Sequence, residues 1–497
     1  MRFSRVLPAL SALLAATPAL AQQAECPVDV YQPNVLAQTG LTIGRAAQMG
    51  EAPEAQKVLR DAMKFLLDDK KFVGNPVGAG FLKAQIYVLW MHQVGLGTML
   101  TNEQLGTKGV KTDKVDILGS ADSLMRAVEA LAPSCVEQTA QWRGSKPWTE
   151  RINKAYTFLG ADAIDSAEFY TKQSSQLNPT SPFVHNAFAQ IASNRGDRPT
   201  VMTHLRAAIT EAAKDTSLAA TQKQMQFQLA QTAQAYAMTD GAAQKAELNK
   251  EALGIYTMLL GQARGSTEGA YAFSAASEII SLSQDSVAAR ELLAPLVATP
   301  AEYSDLTLIL GADVARAFSR TADAMAMYEG ALAKNANIRD ANYFLAYMYY
   351  EAKQPDKMLP LTEKLIEIDP SNGDNFLMRA YAYQLMTAAE RDPRKKAELQ
   401  KKQDEVAGRE NVMATQHKLL ITRFERRAKG AALDGTIENF TKAPRSFALK
   451  MEFLDTAGNV VETMTTDVAN VKPGERGTFE FTATKPGIVA YRYEALK

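Results

Sequence analysis

The chain has 497 residues, 46% of them hydrophobic, with 55 lysines and arginines balanced against 55 aspartates and glutamates. That length exceeds one ordinary domain several-fold and implies either several domains or an extended repeat array. The charge balance excludes a whole-molecule field that would draw the protein to nucleic acid or to an acidic membrane.

At the start of the chain, Arg2 and Arg5 precede an apolar stretch from Val6 to Leu20, broken by Pro8 and Pro18 and too short for a comfortable membrane span. Ala19-Leu20-Ala21 supplies the small-x-small pattern of a cleavage site. Residues 1–21 therefore read as a signal peptide and the mature chain as exported, periplasmic or alternatively secreted. Glu25 beside Cys26 argues against a lipid anchor, and no later stretch reaches the roughly eighteen apolar residues of a transmembrane helix. Cys26 and Cys135 are the two cysteines. In an oxidising compartment they form one disulfide, or else two separate buried thiols.

From about Leu36 to Met413 the chain reads as alanine-rich amphipathic helices. Small residues recur at Ala55, Ala121, Ala167, Val201, Ala252, Ala288 and Ala324, the last two spaced like Met358 at close to a constant interval. Pro133, Asn178-Pro179, Pro300 and Asp369-Pro370 close successive segments, and Gly50 and Gly196 sit where paired helices must turn. The segment 72–114, with GNPVGAG and a glycine-rich loop, fits the pattern least. The period is plainest over 339–372, RDANYFLAYMYYEAKQPDKMLPLTEKLIEIDPSN. This segment resembles the tetratricopeptide repeat, a helix-turn-helix of about 34 residues. Leu345-Ala346 stand at that family's Leu-Gly pair, Tyr349 at its first-helix aromatic, and Asp369-Pro370 at its closing proline. Met358 replaces the small residue of the second helix, and Pro360 predicts a late or bent second helix. A further first helix, 374–386, leads into the charged segment 392–410, where Asp392 and Pro393 make an N-cap and first helical residue and interleaved charges mark a solvated face. The resemblance implies an α-solenoid of paired antiparallel helices over 22–415; an irregular helical solenoid of unrelated descent is the other reading.

After about His417 the hydrophobic period changes to two. Phe447, Leu449, Met451 and Phe453 alternate with Ala448, Lys450 and Glu452, and turns stand at 455–459, 472–475 and Pro486-Gly487. Residues 416–497 therefore read as a small β-sandwich of immunoglobulin-like character that folds separately. Its phrases GTIENFT, MEFLD and VKPGERGTFEF are similar to the FxLYD family, with Met451 and Leu454 departing from that motif.

The sequence carries no nucleophile elbow and no phosphate-binding loop. Four histidines, His92, His185, His204 and His417, show no zinc spacing; His185 and His204 fall on the two helices of one unit, more simply as a packing pair than as a site. We therefore expect no enzyme, no cofactor and no metal. What the repeat resemblance implies instead is a groove for protein segments. The first-helix positions that line the concave face in that family map onto Asp340, Tyr343, Tyr347, Tyr350 and Glu351, with Tyr381 and Gln384 in the next unit and Asn186, Gln190 and Asn194 in an earlier one. Spacings of four and three align the tyrosines on one stripe, while Tyr349 faces inward. The stripe serves either recognition or packing against the next repeat. The expected function is a protein-binding scaffold, or alternatively a non-catalytic accessory subunit of a cell-envelope enzyme or export complex.

Overall fold

In a computed structural model, residues 30–239 and 241–496 are described, with Cys26 and Val28. Residues 1–21, expected to be a signal peptide, lie outside them. The chain divides into two compact units, between Leu229 and Ala230.

Twenty α-helices are present among the described residues, most of them joined in consecutive pairs. In the N-terminal unit Asn34–Met49 packs on Pro53–Phe65, Pro76–Val94 on Ile117–Leu131, Lys146–Gly160 on Ile164–Leu177, and Pro182–Asn194 on Arg198–Ala212. In the C-terminal unit Asp305–Ala317 packs on Thr321–Lys334, Arg339–Glu351 on Pro355–Ile368, and Gly373–Ala389 on Pro393–Gln416. Thr267–Ser283 departs from this rule and packs mainly on the helix before it, Ala242–Gln262.

One backbone feature marks the repeats independently of side-chain pattern. The turn between consecutive helices holds a residue at positive φ in Gly50, Asp162, Gly196, Gln284, Ser319 and Lys353. Asp162 and Gly196 stand 34 residues apart, as do Ser319 and Lys353. This is the tetratricopeptide-like arrangement expected from the sequence, and four of its six turns are made by residues other than glycine. Close approach of the helices also needs small residues. A Cβ on Gly311 would stand 2.7 Å from both Leu296 Cδ2 and Met327 Sδ, so the first helix Asp305–Ala317 reaches its neighbours only because Gly311 has none.

Two expectations are corrected. The helix Pro355–Ile368 is not late: Pro355 takes its first position, where no N–H is needed, and Pro360 lies inside it. Both Pro360 and Asp356 are exposed, so water reaches the carbonyl left without its helical donor. The stretch GNPVGAG, in the segment that fits the repeat pattern least, is helical from Pro76. Asn75 caps a helix starting at Pro76, and Gly80 lets that helix approach Val128. The residues that follow hold an antiparallel two-stranded sheet, β1 (Met99–Thr101) with β2 (Lys114–Asp116), inserted between paired helices.

Period-two alternation produces strands from His417 onward, as expected. Two three-stranded antiparallel sheets face each other: β3 (His417–Arg426), β4 (Ala431–Asn439) and β7 (Arg476–Ala483) in one, β6 (Val460–Val471), β5 (Arg445–Leu454) and β8 (Ala490–Tyr493) in the other. Leu433, Ile437 and Phe479 from the first meet Phe447, Leu449 and Phe453 from the second in one core. This sandwich belongs to the same compact unit as the last helices, and Ile368 from the helix Pro355–Ile368 enters its core.

Candidate functional site

The helix Arg339–Glu351 positions the tyrosine stripe. Leu345, Ala346, Met348 and Tyr349 are buried, and Asn342 donates from Nδ2 to the carbonyls of Ala336 and Ile338 at 2.9 and 2.8 Å. These contacts fix the helix rotation and leave the opposite face outward. Tyr349 is 4% exposed, and its hydroxyl donates to Glu329 of the preceding second helix. Burial, then that carboxylate, pushes its phenol up. It is therefore a packing residue, as its inward position predicted.

The outward stripe is heterogeneous. Tyr347 is 49% exposed. Tyr350 and Tyr381 are brought together from successive first helices, with ring centroids 5.3 Å apart. Tyr343 is half-buried, edge-on to Phe344 at 5.5 Å and beneath the Arg339 guanidinium at 5.2 Å. Asp340 pairs with Arg339 at 2.9 Å, while Glu351 and Gln384 are exposed. The face thus offers Tyr347 and the Tyr350–Tyr381 pair; Tyr343 is committed to its own helix.

Sequence reasoning missed the preceding helix. Arg316 lies with its guanidinium 3.5 Å from the Phe344 ring centroid and donates to the Tyr328 hydroxyl at 3.3 Å, while Tyr328 donates to Asp313 at 2.5 Å. Asp313 and Arg316 stand one 34-residue period before Tyr347 and Tyr350, so projecting the repeat backward would have found them. They add charge beside an aromatic stripe.

The amide stripe of the N-terminal unit is a structural ladder. Asn186 is 7% exposed; it accepts from Tyr156 at 3.2 Å and Gln190 at 2.7 Å and donates to Gln228 at 3.0 Å. Asn194 donates to the Gln190 carbonyl at 3.0 Å. Its hydrogen-bonding capacity is largely used within the protein.

His185 and His204 do meet, with Nδ1 atoms 3.2 Å apart and Phe188 stacked on His204. One ring presents Nδ1–H and the other a bare Nδ1, a geometry that a neutral pair satisfies. Burial depresses both, and His185 further opposes charge on His204. His92 and His417 are also depressed chiefly by burial, and His417, 5% exposed, has neither ring nitrogen hydrogen-bonded. In each case the folded state resists a proton that the unfolded chain accepts near pH 6.5. Stability is therefore complete above the unfolded value and declines as pH falls through it. The melting temperature is expected to drop between pH 7.5 and 5.5, and His417→Gln should lessen the drop; a melt that is flat or rises on acidification would refute this. Glu168, held down to about 2 by Arg195 and Lys172, does not titrate in that interval.

Among the described residues no three His, Cys, Asp or Glu side chains gather as a metal site, and no helix is long and apolar enough to cross a membrane. No family model matches the chain, and no curated protein matches it. Similar solved structures include one from a functional characterization of Pseudomonas aeruginosa pilF, 10% identical over 54% of this chain and 90% of that one, TM-score 0.21. The APC/C hetero-tetramer Cut9-Hcn1 is 10% identical over 70% and 74%, TM-score 0.24. The P58(IPK) TPR domain is 13% identical over 74% and 98%, TM-score 0.16. Superposition is poor in all three, so the repeat assignment rests on the helix pairing and turn spacing above.

Proposed function

We propose that this protein is an exported, non-enzymatic scaffold whose helical repeats hold protein segments across the tyrosine face of 339–389. The observation that carries the reading is the contrast within one helix: Tyr349 is locked inside, whereas Tyr347 stands open beside the Tyr350–Tyr381 pair. Large rigid aromatic surface with a polar tip suits recognition of an extended chain. The periplasm is the compartment proposed, from the signal-like segment 1–21, and an immunoglobulin-like, FxLYD-like identity is proposed for the sandwich from its strand phrases.

The test separates recognition from packing. Tyr347→Ala should weaken partner capture from a native envelope extract by about 1–3 kcal/mol, roughly fivefold to 150-fold, with little change in melting temperature. Tyr349→Ala should instead cost about 3 kcal/mol or more of stability by opening a cavity between the helices. If capture by each variant merely follows its folded fraction, the tyrosine face is packing and the scaffold reading is lost.

A further inference from the structure

The sandwich holds the helical repeats at one recurrent place, the turn that leads into each first helix. Three successive first helices begin at Asp305, Arg339 and Gly373, each 34 residues after the last. At the first, Arg426 at the end of β3 donates from Nη1 to both carboxylate oxygens of Asp305, at 3.0 and 2.9 Å. At the second, Asn335 donates from Nδ2 to Asp305 at 3.3 Å and to the Val489 carbonyl, next to β8, at 3.5 Å. Asn337 there lies against Gly458 of the β5–β6 turn, where an added Cβ would come within 2.9 Å of its Nδ2. At the third, the Tyr493 hydroxyl of β8 donates to Asp369 and accepts from the Ser371 N–H at 3.2 Å, while the Leu496 N–H donates to Ser371 Oγ at 2.8 Å.

The second and third sites are the same place in the repeat. Asn335 and Asp369 are one period apart, and so are Asn337 and Ser371. Asp369 was expected only to help end a helix; its buried carboxylate also accepts from Arg339 at 3.2 Å and Asn372 at 2.9 Å. Arg339 in turn pairs with Asp340 of the outward stripe. Tyr491 of β8 is pushed up by burial and then by the charges of Asp369 and Asp340.

In a solenoid each repeat touches only its neighbours, so the angle between successive first helices is ordinarily set by one interface at a time. An element bonded to three successive repeats removes that freedom. We propose that the C-terminal sandwich is a clamp that fixes the relative positions of the first helices 305–317, 339–351 and 373–389, and thereby the spacing of the tyrosine faces between them. The clamp residues Tyr493, Asp369 and Arg426 are positioning residues for a groove they do not line. The inference rests on the groove reading for its function, but not for its physical test.

That test is hydrogen exchange on the intact chain, with Tyr493→Phe, Arg426→Gln and Tyr347→Ala compared with the unaltered protein. Tyr493→Phe keeps the ring in the core and removes only the hydroxyl, and Arg426→Gln breaks the clamp at the opposite end. Both should speed exchange about tenfold or more in Arg339–Glu351 and Gly373–Ala389, with Pro182–Asn194 unchanged. Tyr347→Ala should leave exchange unaltered. Acceleration confined to β5 and β8, or none in either clamp variant, overturns the proposal. Faster exchange in the helices combined with undiminished capture by Tyr347→Ala would support the clamp while removing the groove reading. If Tyr493→Phe does not fold, the same comparison with Arg426→Gln decides the matter.

Discussion

Arg143→Ala is expected to destabilise the N-terminal unit by about 3–5 kcal/mol. Arg143 is 6% exposed. It reaches Glu129 with Nε at 2.8 Å and Nη2 at 3.2 Å, Asp122 with Nη1 at 3.2 Å, and the carbonyls of Leu177 and Gln176 at 2.8 and 3.3 Å. One guanidinium thus joins the helix Ile117–Leu131 to the last turn of Ile164–Leu177, where carbonyls lack helical donors. Burial raises the Glu129 carboxyl, but hydrogen bonds from Arg143 and Thr139 outweigh it and hold the group below its usual range. Truncation leaves that carboxylate and those carbonyls without their donor, and the cost of the orphaned groups exceeds the worth of the pair itself. Arg143→Lys should recover only part, because an ammonium cannot make the forked contact. Thermal melts of the three proteins check this, and a loss below about 1 kcal/mol for the alanine variant would show the network to be dispensable.

Removing the Cys26–Cys135 disulfide is the second large effect. The bond joins residues 109 apart in sequence, and chain entropy allows up to about 4–5 kcal/mol for closing such a loop in the unfolded state. Cys135 is also fully buried, in a small cluster with Phe81, Val128 and Ala132, so Cys135→Ser adds the burial of a hydroxyl to the lost crosslink. Reduction of the unaltered protein isolates the crosslink alone. The melting temperature should fall on adding reductant to the unaltered protein but not to Cys26→Ser. Non-reducing peptide mapping of protein from its host should show the linked pair, with Gln22 at the N-terminus if cleavage follows Ala21. Two free thiols in that material would sink the prediction.

Much of this was written in local residue pattern. The tetratricopeptide-like pairing was legible because large and small residues recur with the period at which helices pack, most plainly over 339–372. The onset of strands at His417 was legible because a change from a period near 3.6 to two is visible in any register. The strands beside the expected glycine-rich loop near Gly95, Gly97, Gly106 and Gly109 gave no signal, because at three residues each they are too short to show a period. The turns at Asp162, Gln284, Ser319 and Lys353 gave no signal, since each holds a positive φ without glycine.

The site divides along the same line. Sequence by itself determined which face of Arg339–Glu351 each tyrosine occupies, because helical geometry fixes that from spacing alone. It separated Tyr349 inside from Tyr347 outside correctly. Only the tertiary structure decided that Tyr343 is covered by Arg339, that Asn186 is consumed by Tyr156, Gln190 and Gln228, and that Asp369 accepts from a tyrosine 124 residues later. Periodicity reports the direction of a side chain from its own helix. What it meets there depends on residues brought close by folding, and no local pattern encodes that distance.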